Sequence, residues 1–91
     1  MVVKMYIIIV YDIKKERVNK VKSFLRQHIY WIQNSVFEGE VTKSQYEAIK
    51  TGLKKIINQD EDSIIIYNAK MQQMINKEII GIEKSPIEQI L

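Results

Sequence analysis

Cysteine is missing from this chain, which excludes disulfide frameworks, thiolate zinc sites and cysteine nucleophiles together. A single histidine, His28, leaves little room for imidazole-rich metal sites or for a serine–histidine couple. With one proline and three glycines in 91 residues, no flexible linker divides the chain, and a single domain over residues 1–91 is expected. Long apolar runs are absent as well. The longest, residues 5–11, has strand length and falls far short of the ~20 residues that a membrane span needs. The opening MVVKMYIIIVYD lacks a basic segment followed by a small-residue cleavage site. The sequence therefore predicts no signal peptide, no membrane partner and a cytoplasmic location. Phosphate-loop, dinucleotide, zinc-protease, EF-hand and RNP1 patterns do not occur either. Chemistry is left to carboxylates, hydroxyls, backbone groups or a hard, oxygen-bound metal ion.

What is present is the balance of a folding chain: 46% hydrophobic and 27% charged residues take it out of the disordered class. The net charge of +3 is unevenly placed. Residues 13–30 hold six basic side chains (Lys14, Lys15, Arg17, Lys20, Lys22 and Arg26) against Glu16 alone, a net +5. Residues 31–91 hold seven lysines against nine acids, a net −2. One segment owns the positive field, and a focused basic patch attracts polyanions better than the same charge spread evenly.

Periodicity outlines the elements. Residues 5–11 are a continuous β-branched and aromatic run suited to a buried central strand, which Asp12 ends. Across residues 16–30, Val18, Val21, Leu25, His28 and Ile29 recur at the helical period, with Phe24 beside them. Lys15, Asn19, Lys22 and Arg26 step along the other side and form one exposed line. Residues 31–41 predict a second strand, with Gly39 as a bend or bulge. Thr42 followed by Gln45 is a capping box, and Val41 with Tyr46 fits a hydrophobic staple. The helix that follows has Tyr46, Ile49, Leu53, Ile56 and Ile57 on its inner face and closes at Asn58. Gly52 inside it costs ~1 kcal/mol relative to alanine, a sign of close backbone packing. An acidic turn at residues 60–62 precedes a strand at 63–67, and residues 78–83 read as one more strand.

We assign these segments to the α+β class, as a ferredoxin-like β-α-β-β-α-β sandwich with a C-terminal extension strand. Such an open antiparallel sheet leaves one face bare, so a two-fold homodimer packed sheet to sheet is expected. Ile87, Ile90 and Leu91 keep the terminus apolar, and residues 86–91 are expected along the partner's sheet edge.

Asp12 is the leading chemical candidate. A carboxylate at the end of a buried strand is held rigidly, and Mg²⁺ takes one or two carboxylates plus several waters. In a two-fold dimer, two Asp12 side chains facing each other across the axis can share one divalent ion. An aspartate in this place also commonly makes an Asx turn or caps the next helix. Ser35 is a hydroxyl candidate, and Trp31, Phe37 and Tyr11 are stacking candidates, although strand aromatics are more often core. Glu38 and Glu40, two apart on a strand, share a face and form a secondary acidic candidate.

The strand end Tyr11-Asp12-Ile13, Arg17 at the opening of the basic helix, and Gln33-Asn34-Ser35-Val36-Phe37-Glu38-Gly39 resemble the Cas-two family of small CRISPR-associated adaptation proteins. The later Asp62-Ser63-Ile64-Ile65-Ile66-Tyr67 segment fits as well. The resemblance implies a homodimer with exchanged C-terminal strands, acting in the capture of foreign DNA as new spacers beside a CRISPR-associated integrase subunit. It further implies, for some members, metal-dependent endonuclease activity on RNA or DNA. By motif position it carries the metal-site aspartate to Asp12, with Tyr11 beside it, and the first-helix arginine to Arg17. The family's Ser-Val-Phe segment falls on Ser35, Val36 and Phe37. Many members carry a basic residue two positions before the glutamine, where this chain has Trp31.

The expectation is thus a dimer that binds duplex DNA, and RNA as a second class, through Lys14, Lys15, Arg17, Lys22 and Arg26. Attached to it is Mg²⁺- or Mn²⁺-dependent hydrolysis at Asp12, with Tyr11 or Arg17 steadying the phosphate. Two alternatives stand beside it: a non-catalytic DNA-bridging scaffold for the integrase, and a stand-alone toxin-like ribonuclease of the same fold.

Overall fold

In the computed structural model, which describes residues 3–85, the first apolar run becomes β1 (Lys4–Asp12) and the basic amphipathic segment becomes α1 (Lys15–Arg26). A hairpin of β2 (Tyr30–Gln33) and β3 (Val36–Thr42) follows, then α2 (Lys43–Ile56) and β4 (Ser63–Ala69). The sheet order is β2-β3-β1-β4, antiparallel throughout. This is the ferredoxin-like β-α-β-β-α-β order. β1, the most apolar strand, takes a central place, paired with β3 from Lys4 opposite Thr42 to Val10 opposite Val36. On its other side it pairs with β4 from Tyr6 opposite Ala69 to Asp12 opposite Ser63.

The two-residue period of β1 divides its side chains between the faces. Ile7, Ile9 and Tyr11 point toward the helices and form the core with Val21 and Leu25 of α1, Ile49 and Leu53 of α2, and Phe37 and Val41 of β3. Tyr6, Ile8, Val10 and Asp12 point the other way. That open face is only partly covered: Ile8 and Val10 are half-buried, and on β4 Ile65 and Tyr67 stand 49% and 58% exposed. The expected burial of β1 on both faces is therefore met on one.

α2 begins as its sequence indicates. The Gln45 N–H donates to Thr42 Oγ1 at 3.1 Å, and the Thr42 N–H donates to Gln45 Oε1 at 2.8 Å. Gly52 earns its place in the helix through the Phe24 ring of α1, which lies where a Cβ would project. The helices thereby approach closely without a side chain between them.

Three segment expectations are corrected. The single strand at 31–41 is a hairpin, broken at Asn34 and Ser35, where Asn34 takes a left-handed φ of 40° that asparagine tolerates better than most residues. Gly39 is neither bend nor bulge: the ladder runs straight through it opposite Ile7, and the irregularity falls between Trp31 and Gln33. What Gly39 provides is space, since a Cβ there would come within 2.8 Å of Ile29 Cγ2. Residues 78–83 form no strand in the single chain. Its isoleucines suit a strand, but a strand exists only where a neighbour completes its ladder, and among the described residues this segment finds none. Past β4 the chain instead crosses the open face, where the Lys77 Nζ donates to Glu38 Oε2 of β3 at 3.1 Å. Ile79 and Ser85 then line a small cavity with Ile32 and Gln33 of β2. The expectation for residues 86–91 lies outside the described residues.

Candidate active site at the end of the central strand

Asp12 is the last residue of β1, opposite Ser63 at the start of β4, and it is exposed on the face away from the helices. Among the described residues its carboxylate has no hydrogen bond and no ion pair. It is not a helix cap: Lys14 is the N-cap of α1, and no side chain caps that end.

The turn beneath it is held by Asp62, which local sequence marks only as part of an acidic turn. Asp62 Oδ1 accepts from the Lys14 N–H at 2.9 Å and from Arg17 Nη2 at 3.1 Å. Its Oδ2 accepts from Arg17 Nε at 2.6 Å and from the Asn58 N–H at 2.9 Å. Arg17 Nη2 also donates to Glu61 Oε1 at 2.8 Å. The Asp62 side chain has no exposed surface. The Arg17 hydrogen bonds, aided by the two backbone N–H donors, hold its carboxyl well below the usual carboxylate range. Reciprocally, hydrogen bonds to Asp62 and then Glu61 push the guanidinium further up. One signal in the sequence pointed to this pair: an arginine at the head of a helix needs a carboxylate partner if it is not to face water. Which carboxylate it meets, 45 positions away, is a matter of topology.

This arrangement revises two expected roles. Arg17, expected on phosphate, has its Nε and Nη2 engaged by Asp62 and Glu61. Tyr11, expected beside Asp12, is 4% exposed on the opposite face, its ring 6.2 Å from that of Phe37. Burial pushes its hydroxyl pKa up, with the Arg26 charge working the other way. Successive strand residues point to opposite sides, so adjacency in sequence separates these two side chains. The Tyr11 backbone does serve the site: its N–H donates to Ser35 O at 3.1 Å, which ties the β2–β3 turn to the end of β1. Ser35 thus lies near Asp12, whereas Phe37 is fully buried core. Trp31, half-buried against the core, donates through Nε1 to Asn34 O at 3.1 Å and braces the same turn.

Glu38 and Glu40 do not join Asp12. Glu38 is 7% exposed and accepts from Tyr6 Oη at 2.5 Å and from Lys77, while Glu40 faces Lys4 at 3.9 Å. Among the described residues no three His, Cys, Asp or Glu side chains gather as a metal site.

The cations of α1 are differently placed from Arg17. Lys14, Lys15, Lys20 and Arg26 are exposed and Lys22 is half-buried, and among the described residues none has a carboxylate within ion-pair distance. Lys15 to Arg26 spans about 16 Å along the helix at 1.5 Å per residue. Lys14 and Lys15 adjoin the turn that carries Asp12. Among the described residues no helix is long and apolar enough to cross a membrane.

A four-stranded antiparallel sheet with both helices on one face, a basic first helix and a free carboxylate closing the central strand define an α+β protein of the ferredoxin-like class. Within that class the chain belongs to the family described as CRISPR associated protein Cas2, whose model matches residues 5–77. It is 61% identical over 87 residues to a CRISPR-associated endoribonuclease Cas2 of Pyrococcus furiosus, covering 96% of this chain and all of that one. It is 59% identical over 87 residues to the protein of that name from Methanocaldococcus jannaschii, covering 96% of this chain and 76% of the relative. Among solved structures, one described as a crystal structure of cas2 matches with a TM-score of 0.83 and 42% identity, covering 91% of this chain and 93% of the other.

Proposed function

We propose that this protein is a nuclease of the CRISPR system that binds nucleic acid as a two-fold dimer during spacer acquisition and hydrolyses phosphodiester bonds at Asp12. The observation that carries this reading is the solvent-facing Asp12 carboxylate, without a partner among the described residues, at the head of a helix whose cations, Arg17 apart, are likewise unpaired among those residues. An isolated acid amid that positive field suits a phosphodiester: the lysines gather the backbone, and the carboxylate addresses it. The relatives named endoribonucleases support RNA as a substrate, with DNA as the other candidate.

The dimer reading rests on the open sheet face, where Ile65 and Tyr67 lie beside half-buried Ile8 and Val10 in a band that water should not see. A second copy packed there brings the two strand ends to one side. The donor set suits a hard cation, since an unpaired carboxylate oxygen is the ligand such ions take and they keep several waters besides. Asp12 would hold Mg²⁺ or Mn²⁺, which supplies Lewis acidity toward a phosphoryl oxygen when bound. Lys14 and Lys15 orient the phosphate backbone, in place of Tyr11 and Arg17, whose side chains are engaged elsewhere. Of the remaining cations, Lys22 and Arg26 extend the contact along duplex DNA and leave the other surfaces to the integrase subunit.

The test is cleavage of labelled RNA and of duplex DNA by wild type and Asp12→Ala, with Mg²⁺, Mn²⁺ or EDTA, beside a binding assay on the same samples. Metal-dependent cleavage that vanishes in Asp12→Ala while binding survives supports the proposal. Binding without any Asp12-dependent cleavage overturns the enzymatic part and makes the protein a DNA-bridging scaffold.

A further inference from the structure

We infer that Asp62 is a positioning residue for Asp12: from inside the fold, its carboxylate sets the turn that presents the reactive carboxylate. This rests on the reading of Asp12 above and names what makes it geometrically workable. Among the described residues Asp12 has no side-chain partner of its own to aim it. Its direction is set by backbone alone, on two sides. On one side β1 pairs with β4, which places Asp12 opposite Ser63. On the other, two residues on, the Lys14 N–H is fixed by Asp62 Oδ1. Asp62 and Ser63 are chain neighbours, so both restraints converge on one short stretch ahead of β4.

Asp62 is itself well fixed. It accepts four hydrogen bonds from three parts of the fold: the β1–α1 turn, the first turn of α1 through Arg17, and the end of the second helical segment through Asn58. Both oxygens are engaged and every donor is an N–H, a pattern that only an ionised carboxylate fits. Asparagine in that place would turn an NH₂ group against donors. Removing one member of such a buried network leaves the others unsatisfied, so the turn must shift to recover partners. A shift of about 1 Å in a reacting group costs on the order of 100-fold in rate. Arg17 acts through Asp62: it secures the carboxylate and touches neither the turn's N–H nor Asp12.

The experiment uses Asp62→Asn, Arg17→Lys and a matched pair, Lys14→Pro and Lys14→Gln. Lys14 has φ −59°, which proline adopts, so Lys14→Pro deletes the donated N–H and leaves the Arg17–Asp62 pair intact, while Lys14→Gln controls for lost charge. Three quantities are read for each variant: amide hydrogen exchange at position 14 where an N–H remains, single-turnover cleavage, and RNA affinity. In Asp62→Asn the Lys14 amide should exchange at least about tenfold faster, and the cleavage rate should fall roughly 10- to 100-fold. Its RNA affinity should stay within about twofold, because no phosphate-facing cation has changed. Arg17→Lys keeps a cation beside Asp62 but not the two-point guanidinium contact, and it leaves the Lys14 N–H its acceptor, so its rate should fall clearly less than that of Asp62→Asn. Lys14→Pro should cut at least about tenfold more slowly than Lys14→Gln.

A folded Asp62→Asn with wild-type exchange at Lys14 or a wild-type cleavage rate overturns the assignment. So does Arg17→Lys falling as far as Asp62→Asn, since a shared loss marks the pair as a stability element only. Should Asp62→Asn not fold, equal rates for Lys14→Pro and Lys14→Gln overturn it. Asp12→Ala that cuts as wild type sinks the reading of Asp12 itself, an outcome separate from any exchange rate at Lys14.

Discussion

Neutralising Lys22 and Arg26 together should change the salt dependence of nucleic-acid binding by an amount that can be worked out beforehand. Neither side chain has an ion pair or hydrogen bond among the described residues, so Lys22→Gln/Arg26→Gln removes charge without breaking either kind of bond. Glutamine matches lysine and arginine in helix propensity. Arg26 lies in the last turn of α1, where a cation favours the helix dipole, so the stability loss should stay below about 1 kcal/mol. Each phosphate contact to duplex DNA contributes about −0.9 to the slope of log K against log salt, so two lost contacts flatten it by about 1.8 per engaged protomer. Between 50 and 200 mM salt, wild type should then lose about 12-fold more affinity than the variant. Fluorescence anisotropy on a labelled duplex across a salt series reads the slope directly, with a thermal melt as the fold control. An unchanged slope in a variant that melts like wild type would refute the assignment of this helix face to nucleic acid.

Three further outcomes concern the scaffold. Phe37→Ala should cost about 3–5 kcal/mol in denaturant unfolding, because the ring is fully buried between the sheet and the helices and packs beside Tyr11. Thr42→Ala should cost about 1 kcal/mol by opening the capping box, and the far-ultraviolet melt should drop accordingly. Asp62 binds its proton more weakly folded than unfolded, so its contribution to stability is complete above the ordinary carboxylate value of about 3.9 and drains away as pH falls below it. Urea midpoints from pH 5 to pH 2 should therefore fall more steeply for wild type than for Asp62→Asn; parallel curves would show that the pair is not the acid-sensitive element.

The amino-acid order alone determined whatever rests on interactions within a few residues. The period of β1 and of both helices, the capping box at Thr42 and the basic bias of residues 13–30 are all local, and each is where the pattern places it. The family was legible too, from the Tyr11-Asp12 strand end and the segment around Ser35, Val36 and Phe37. Local signals also mislead: the β2–β3 turn carries Asn34 rather than glycine, so the local pattern resembles one strand where two exist. Gly39 invited a bend because its real cause, the Ile29 methyl above it, lies ten residues away in the chain.

Tertiary structure decided which residues can act at the strand end. Tyr11 and Asp12 are neighbours in the chain, yet the pleat sends one into the core and the other into solvent. Arg17 shares the basic helix with Lys22 and Arg26, yet the approach of the β4 entry loop engages it with Asp62 and, among the described residues, leaves them without an ion pair. Residues 78–83 have a strand's composition, and whether they are a strand depends on an edge to pair with. Residue type sets what a side chain can bond; only the folded chain brings the partner within reach.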